Sequence, residues 1–257
     1  MSRHNRANCE RSFDDRGRQR LTAEQVAGML DHRLHMPRVG PAELKAGCQL
    51  ARDHRLAAVT CRPEHVAMAA EELAGTDVAV VTAIGSQGQG LPASDDVWVE
   101  EARELTAHGA TELAVVVTAA LLELPAWSSL VRTIETLAAL QSEQGFRLRV
   151  HLDTAGLADE QITAACRALR AAGVWMVQGG LWQGERTGFR QVVLMREALG
   201  PDVLLKWTTP VSSLPMLLLA KGEGVDRFNA NVTELLRDAS RQARLAPLLV
   251  PLQGLDY

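Results

Sequence analysis

Val203-Leu204-Leu205-Lys206-Trp207-Thr208-Thr209-Pro210 is a short apolar run with one lysine at its centre and a breaker at its end. A helical pattern precedes it from Gly188 to Leu199 and another follows from Ser213 to Lys221. A Val/Leu-rich strand held between two helices is the mark of a parallel sheet covered on both faces. Working outward, the same alternation recurs, with strands expected at 30–34, 57–61, 77–84, 112–117, 147–153, 175–178, 203–207 and 226–229. A helix follows each of them. Eight such units in 257 residues predict a single α/β domain closed as a (β/α)8 TIM barrel. Thr22-Ala23-Glu24-Gln25 is a Thr-x-x-Gln capping box, so an extra N-terminal helix should precede the first strand. The glycine-studded segment Gly85 to Gly90 lacks a following Gly-Lys-Ser and is expected to be a flexible loop rather than a phosphate-binding one.

Residues 1–20 are rich in arginine and polar groups and are expected to be a disordered tail, with the barrel over 21–247 and a C-terminal tail over 248–257. The net charge of −4, with no basic stripe in the body, argues against nucleic acid as a partner. The tail has no signal-peptide core, and the apolar run from Pro215 to Ala220 is too short to span a bilayer. A cytoplasmic protein away from membranes is expected, and a homodimer is compatible with the sequence without being required by it. Cys9, Cys48, Cys61 and Cys166 are scattered, with no Cys-x-x-Cys pair, and should be reduced, mostly buried thiols.

In a barrel of this kind, functional side chains gather at the C-terminal ends of strands and in the loops that follow. Only three lysines stand against 24 arginines, and Lys206 alone lies on a strand. A desolvated lysine loses its proton more easily and becomes a nucleophile for carbonyls; the plainer alternative is a lysine paired with a carboxylate inside the fold. Arg149, His151 and Asp153 alternate on the fifth strand and share one face, as general acid and base groups or as a satisfied polar layer. His32, next to Asp31, faces the opposite way, so no metal site is expected. The remaining candidates are Asp31 and Arg33 on the first strand, Thr60, Thr118, Gln178, and Asn229 with Asn231 near the eighth. Trp182 and Trp207 fall beside Gln178 and Lys206 and are expected to contact the ligand.

Leu30-Asp31-His32-Arg33-Leu34, Val59-Thr60-Cys61-Arg62-Pro63, Val81-Thr82-Ala83-Ile84-Gly85, Leu194-Met195-Arg196-Glu197 and Gly200-Pro201-Asp202-Val203 resemble, in order and spacing, deoxyribose-phosphate aldolase over residues 21 to 235. The resemblance implies a class I aldolase. In that family a sixth-strand lysine forms a Schiff base, a seventh-strand lysine lowers its pKa, and a fourth-strand aspartate completes the proton relay. Lys206 matches the second lysine, Gln178 stands at the Schiff-base position and Ala114 at the aspartate position. Asp31 matches the first-strand aspartate, Asp153 stands where the family has a glutamate, and His151 and Trp182 are departures. The glycine turns that cradle the family's phosphate are replaced by Trp207-Thr208-Thr209-Pro210 and Phe228-Asn229-Ala230-Asn231, and Pro210 has no N–H to offer.

An amide cannot form an imine, so the expected function is a repurposed aldolase-type lyase, needing no cofactor. It would make or break a carbon–carbon bond of a small, non-phosphorylated and more apolar carbonyl substrate. Lys206 serves as reacting amine or as an electrostatic clamp on a developing oxyanion, with Asp31, His151 or Asp153 moving protons. The alternative is a non-catalytic barrel that binds a small molecule or a partner protein.

Overall fold

A computed structural model of the chain describes residues 12–85, 95–122, 126–180, 187–211 and 213–252. The elements begin with β1 (Ser12–Phe13), β2 (Gln19–Leu21), α1 (Ala23–Ala27), β3 (Leu30–Arg33), α2 (Pro41–His54) and β4 (Ala58–Thr60). They continue with α3 (Val66–Glu72), β5 (Ala79–Ala83), α4 (Asp95–Ala107), β6 (Glu112–Val117), α5 (Ala126–Gln144), β7 (Arg147–Leu152) and α6 (Asp159–Ala171). The chain closes with β8 (Met176–Gly179), α7 (Phe189–Leu199), β9 (Leu204–Val211), α8 (Leu214–Gly222), β10 (Arg227–Ala230), α9 (Val232–Leu245) and β11 (Leu248–Leu249). Strands β3 to β10 form a closed parallel barrel, β10 pairing with β3, as the alternation predicts.

Period two divides each barrel strand between two environments. Outward residues such as Val59, Val80, Leu113, Val115, Leu148, Val150, Val177, Leu205 and Phe228 join one apolar core with the surrounding helices. The helices answer with faces at helical spacing, Ile162, Ala165, Cys166 and Leu169 on α6 and Val232, Leu235, Leu236 and Ala239 on α9. Ala58, Val81, Ala114 and Met176 are as deeply buried but stand apart from that core, inside the barrel, beside Asp31, Arg149 and Lys206. The strands are therefore apolar on the helix side, and small or charged within.

The Thr22 capping box forms: Thr22 Oγ1 accepts from the Gln25 N–H at 3.1 Å and the Gln25 side chain accepts from the Thr22 N–H at 2.8 Å. The helix it opens, α1, packs against α9. Cys48, Cys61 and Cys166 are buried free thiols; burial pushes them up to about 11, 12 and 12. No described helix is long and apolar enough to cross a membrane.

The two tails need correction. Residues 12–21 form a hairpin rather than a disordered end, and β11, placed in the C-terminal tail, completes a three-stranded antiparallel sheet with it in the order β1-β2-β11. Asp14 builds the turn, its carboxylate taking the N–H groups of Arg16 and Arg18 and the Arg18 side chain. Leu21 and Leu248 bury the inner edge of this sheet. Residues 1–11 and 253–257, Cys9 among them, and the loop residues 86–90 lie outside the described residues.

Candidate active site

Asp31 is the hub of the barrel interior. It is fully buried, and its Oδ2 takes Lys206 Nζ at 2.6 Å and Arg149 Nη1 at 2.9 Å, while Oδ1 takes Arg227 Nε at 2.8 Å. Arg149 also pairs with Glu112 Oε2, and Arg227 Nη2 lies 3.6 Å from Glu112 Oε1. Two carboxylates and three basic side chains thus share one dry space. Burial alone would raise the Asp31 carboxyl, but Arg227, Lys206 and Arg149 hold it well below the usual carboxylate range. As an anion it anchors all three cations.

Lys206 is 2% exposed. Burial pushes its amine down to about 7; Asp31 opposes the shift, whereas Arg149 and Arg227 add to it. Arg149 is likewise lowered, to about 10, chiefly by burial, yet remains charged at neutral pH. The amine is therefore the one basic group of this network that is readily neutral near pH 7.

Strand pairing fixes what surrounds the amine. His151 pairs with Gln178, Gln178 with Lys206, Lys206 with Arg227, and Asn229 with Asp31, so all these side chains share the inner face. His151 is driven well below the ordinary imidazole value by burial and then by Lys206, Arg149 and His35, Asp31 opposing. His35 is lowered to about 4 by burial, Arg33 and Lys206. Both rings are neutral at physiological pH, and His151 Nε2 and His35 Nδ1 are buried without a hydrogen-bond partner among the described residues. Arg33 lies on the same inner face, half-buried, with burial lowering it to about 10.

The other expected residues divide. Gln178 and Asn229 are buried on the inner face beside Lys206. Asp153 sits one residue beyond β7, half-buried, where Oδ1 takes the Ala155 N–H at 3.1 Å. Thr118 follows β6 and is half-buried in a turn to Leu121, and Thr60 is half-buried at the end of β4. Asn231 is exposed at the N-terminus of α9. Trp207, expected to contact the ligand, is corrected: as the neighbour of inward Lys206 it points outward, joins the helix-side core, meets the Phe189 ring at 5.8 Å with the planes tilted by 60°, and donates Nε1–H to Thr187 O at 2.9 Å. Trp182 lies outside the described residues. His32 faces outward, beside Gly47 of α2.

Four site residues were not among the expected ones: Glu112, Arg227, His35 and Thr208. Alternation carries the signal in each case, since Asp31-Arg33-His35, Lys206-Thr208 and Arg227-Asn229 are each spaced by two and Glu112 begins a strand. The Leu34 N–H continues the ladder to Thr60 O at 2.7 Å, which keeps His35 on the inner face beyond β3.

Beyond Lys206, β9 departs from a simple ladder. Phe228 pairs with Trp207 and Ala230 with Val211, so four steps along β9 match two along β10. Thr208–Pro210 form this bulge, and proline is tolerated there because the ladder is already interrupted. Just past the neighbouring strand β8, Gly180 has φ +89°, and a Cβ there would lie 2.5 Å from Thr187 Oγ1.

No protein-family model matches the sequence. The chain is 30% identical over 214 residues to a deoxyribose-phosphate aldolase of Bacteroides thetaiotaomicron, covering 82% of this chain and 88% of that one. It is 32% identical over 185 residues to deoxyribose-phosphate aldolase 2 of Bacillus licheniformis, covering 70% and 80%. In fold it is similar to the deoxyribose phosphate aldolase of Aeropyrum pernix, whose structure is described as a unique tetramer, with a TM-score of 0.72, 20% identity and coverage of 88% and 94%.

Proposed function

The chain belongs to the deoxyribose-phosphate aldolase family, and from that premise we propose that it makes or breaks a carbon–carbon bond beside a carbonyl through an imine on Lys206. The observation that carries this reading is the amine itself: buried, held by Asp31, and brought down to about 7 by burial and two guanidinium groups. At that value about half of the amine is neutral at pH 7, whereas an ordinary lysine near 10.4 is neutral in roughly four parts in ten thousand. The gain in nucleophile is on the order of a thousandfold.

The steps follow from the groups present. The neutral amine adds to a carbonyl carbon, and the carbinolamine takes a proton from solvent and loses water to leave an iminium, that proton returning to solvent when the amine is finally released. His151, neutral and with Nε2 unengaged among the described residues, accepts a proton from the adjacent carbon to give an enamine. The enamine carbon attacks a second carbonyl, the imidazolium returns its proton to the new alkoxide, and water releases the amine. Cleavage is the same sequence reversed.

A non-phosphorylated substrate is favoured over deoxyribose phosphate. The bulge Thr208–Pro210 occupies the place of one glycine turn, and Pro210 offers no donor. The expected apolar character of the substrate loses the support of Trp207, which is turned away. Borohydride reduction after incubation with small aldehydes, followed by peptide mapping, tests the proposal. A mass increase at Lys206 that vanishes in Lys206→Met and Lys206→Arg supports it; turnover that survives in Lys206→Arg without any adduct favours the electrostatic clamp.

A further inference from the structure

Gln178, Thr208 and Asn229 lie on three consecutive barrel strands, β8, β9 and β10, on the face that carries Lys206. They are 4%, 4% and 3% exposed. Gln178 Oε1, Thr208 Oγ1 and Asn229 Oδ1 are each buried with no hydrogen-bond partner among the described residues. An orphaned buried polar group is destabilising, and three of them on adjacent strands beside the Lys206 amine call for partners that the described residues do not supply. They are places for a ligand.

The unsatisfied atoms say what kind of ligand. Gln178 Oε1 and Asn229 Oδ1 only accept hydrogen bonds, whereas the Thr208 hydroxyl can accept or donate, so the matching groups must donate to the two amide oxygens. A phosphate dianion or a carboxylate has no proton to give to the two amide oxygens. An ammonium could donate but would sit beside Lys206, Arg149 and Arg227, where another cation is disfavoured. Hydroxyl groups meet the requirement without adding charge. We propose that Gln178, Thr208 and Asn229 form a subsite for the hydroxyl groups of a neutral hydroxylated carbonyl substrate seated on Lys206. The inference rests on the reading of Lys206 given above for its carbonyl end, and on the three oxygens for its hydroxyl end.

Equilibrium binding and covalent capture separate those two parts. The dissociation constants of the full-length protein for glyceraldehyde, pentanal and glyceraldehyde 3-phosphate are measured by calorimetry, and each mixture is then reduced with borohydride. Glyceraldehyde should bind at least tenfold more tightly than either competitor. Thr208→Val, a nearly isosteric change, and Asn229→Leu should each narrow that preference about tenfold, the value of one hydrogen bond. Binding of the three aldehydes within a factor of two of each other, tighter binding of pentanal or the phosphate, or no saturable binding of glyceraldehyde overturns the subsite. A strong preference for glyceraldehyde with no adduct at Lys206 upholds the subsite and removes the imine.

Discussion

Arg227→Gln should move the amine of Lys206 back toward an ordinary lysine. Lys206 and Arg227 bond opposite oxygens of Asp31 at 2.6 and 2.8 Å, which places the two cations roughly 5 Å apart, where unit charges at an effective dielectric of 20 repel by about 3 kcal/mol. Arg227 is only 9% exposed, so solvent screens little of this. Its loss also leaves Glu112 with Arg149 alone, which acts in the same direction. At 1.36 kcal/mol per decade the protonation equilibrium shifts by about a hundredfold, from about 7 to roughly 9. The neutral fraction at pH 7 falls from about a half to about one part in a hundred. The assay is the rate of aldehyde capture under cyanoborohydride between about pH 5 and pH 10, read by intact mass and normalised to capture by acetyl-lysine. Wild type should rise with a midpoint near 7. Arg227→Gln should be about 50-fold slower at pH 7 and converge with wild type near pH 10, while Arg227→Lys keeps the wild-type midpoint. A midpoint that stays put or falls in folded Arg227→Gln refutes the account of how the amine is activated.

The same lowering makes Lys206 a stability liability. Its folded value lies below its unfolded one, so the unfolded chain binds more protons between pH 7 and 10.5 and wild type becomes more stable as pH rises through that window. Lys206→Met, which leaves Asp31 bonded to Arg149 and Arg227, should gain in stability relative to wild type, by about 3 kcal/mol more at pH 6.5 than at pH 9.5 in urea titrations. His151→Gln should leave capture by Lys206 within a few-fold of wild type yet slow exchange of the substrate's adjacent C–H into deuterated water by at least a hundredfold. Equal losses in both measurements would mean His151 only shapes the pocket. Gly180→Ala forces a Cβ against Thr187 at a left-handed φ, so it should destabilise the fold by about 1–3 kcal/mol in denaturant unfolding; an unchanged midpoint would mean that Thr187 yields freely.

The barrel was legible because two periods alternate along the chain, and because each strand's outer face is apolar enough to meet a helix. The small sheet at the barrel's end was not. Its β1 and β2 are short and polar, and their partner β11 lies more than 220 residues away in sequence, so nothing local announces the pairing. Within the site, Lys206, Asp31, Arg149, His151, Gln178 and Asn229 could be placed together from alternation alone. Trp207 was misplaced by proximity in sequence: residues i and i+1 on a strand face opposite ways, the same reasoning that sent His32 outward. Arg227 and Glu112 escaped notice because charges at the beginning of a strand read as solvated ends. Only barrel closure, which seats β10 against β3, turns Arg227 into a partner of Asp31.

That closure also explains how an amine can be activated in a chain whose sixth strand carries Gln178. In the family the sequence resembles, one lysine depresses the pKa of another; here two arginines surround the single lysine on the same carboxylate. The exchange has a physical consequence. A second lysine can itself release a proton, so the loss is shared between two amines, whereas the Arg149 guanidinium, lowered only to about 10, keeps its proton near neutral pH. Asp31 and Glu112 stand against Arg149 and Arg227 as two carboxylates against two guanidinium groups, so a charged Lys206 is a third basic group facing two acidic ones. Each proton that Lys206 binds leaves one uncompensated charge in the dry interior, and it is released preferentially for that reason. Replacing Glu112 by Gln should therefore lower the amine further, since it leaves the two arginines with one carboxylate fewer, opposite in sign to Arg227→Gln. Finding both variants displaced in the same direction in the capture profile would show that charge balance is not what sets the reactivity of Lys206.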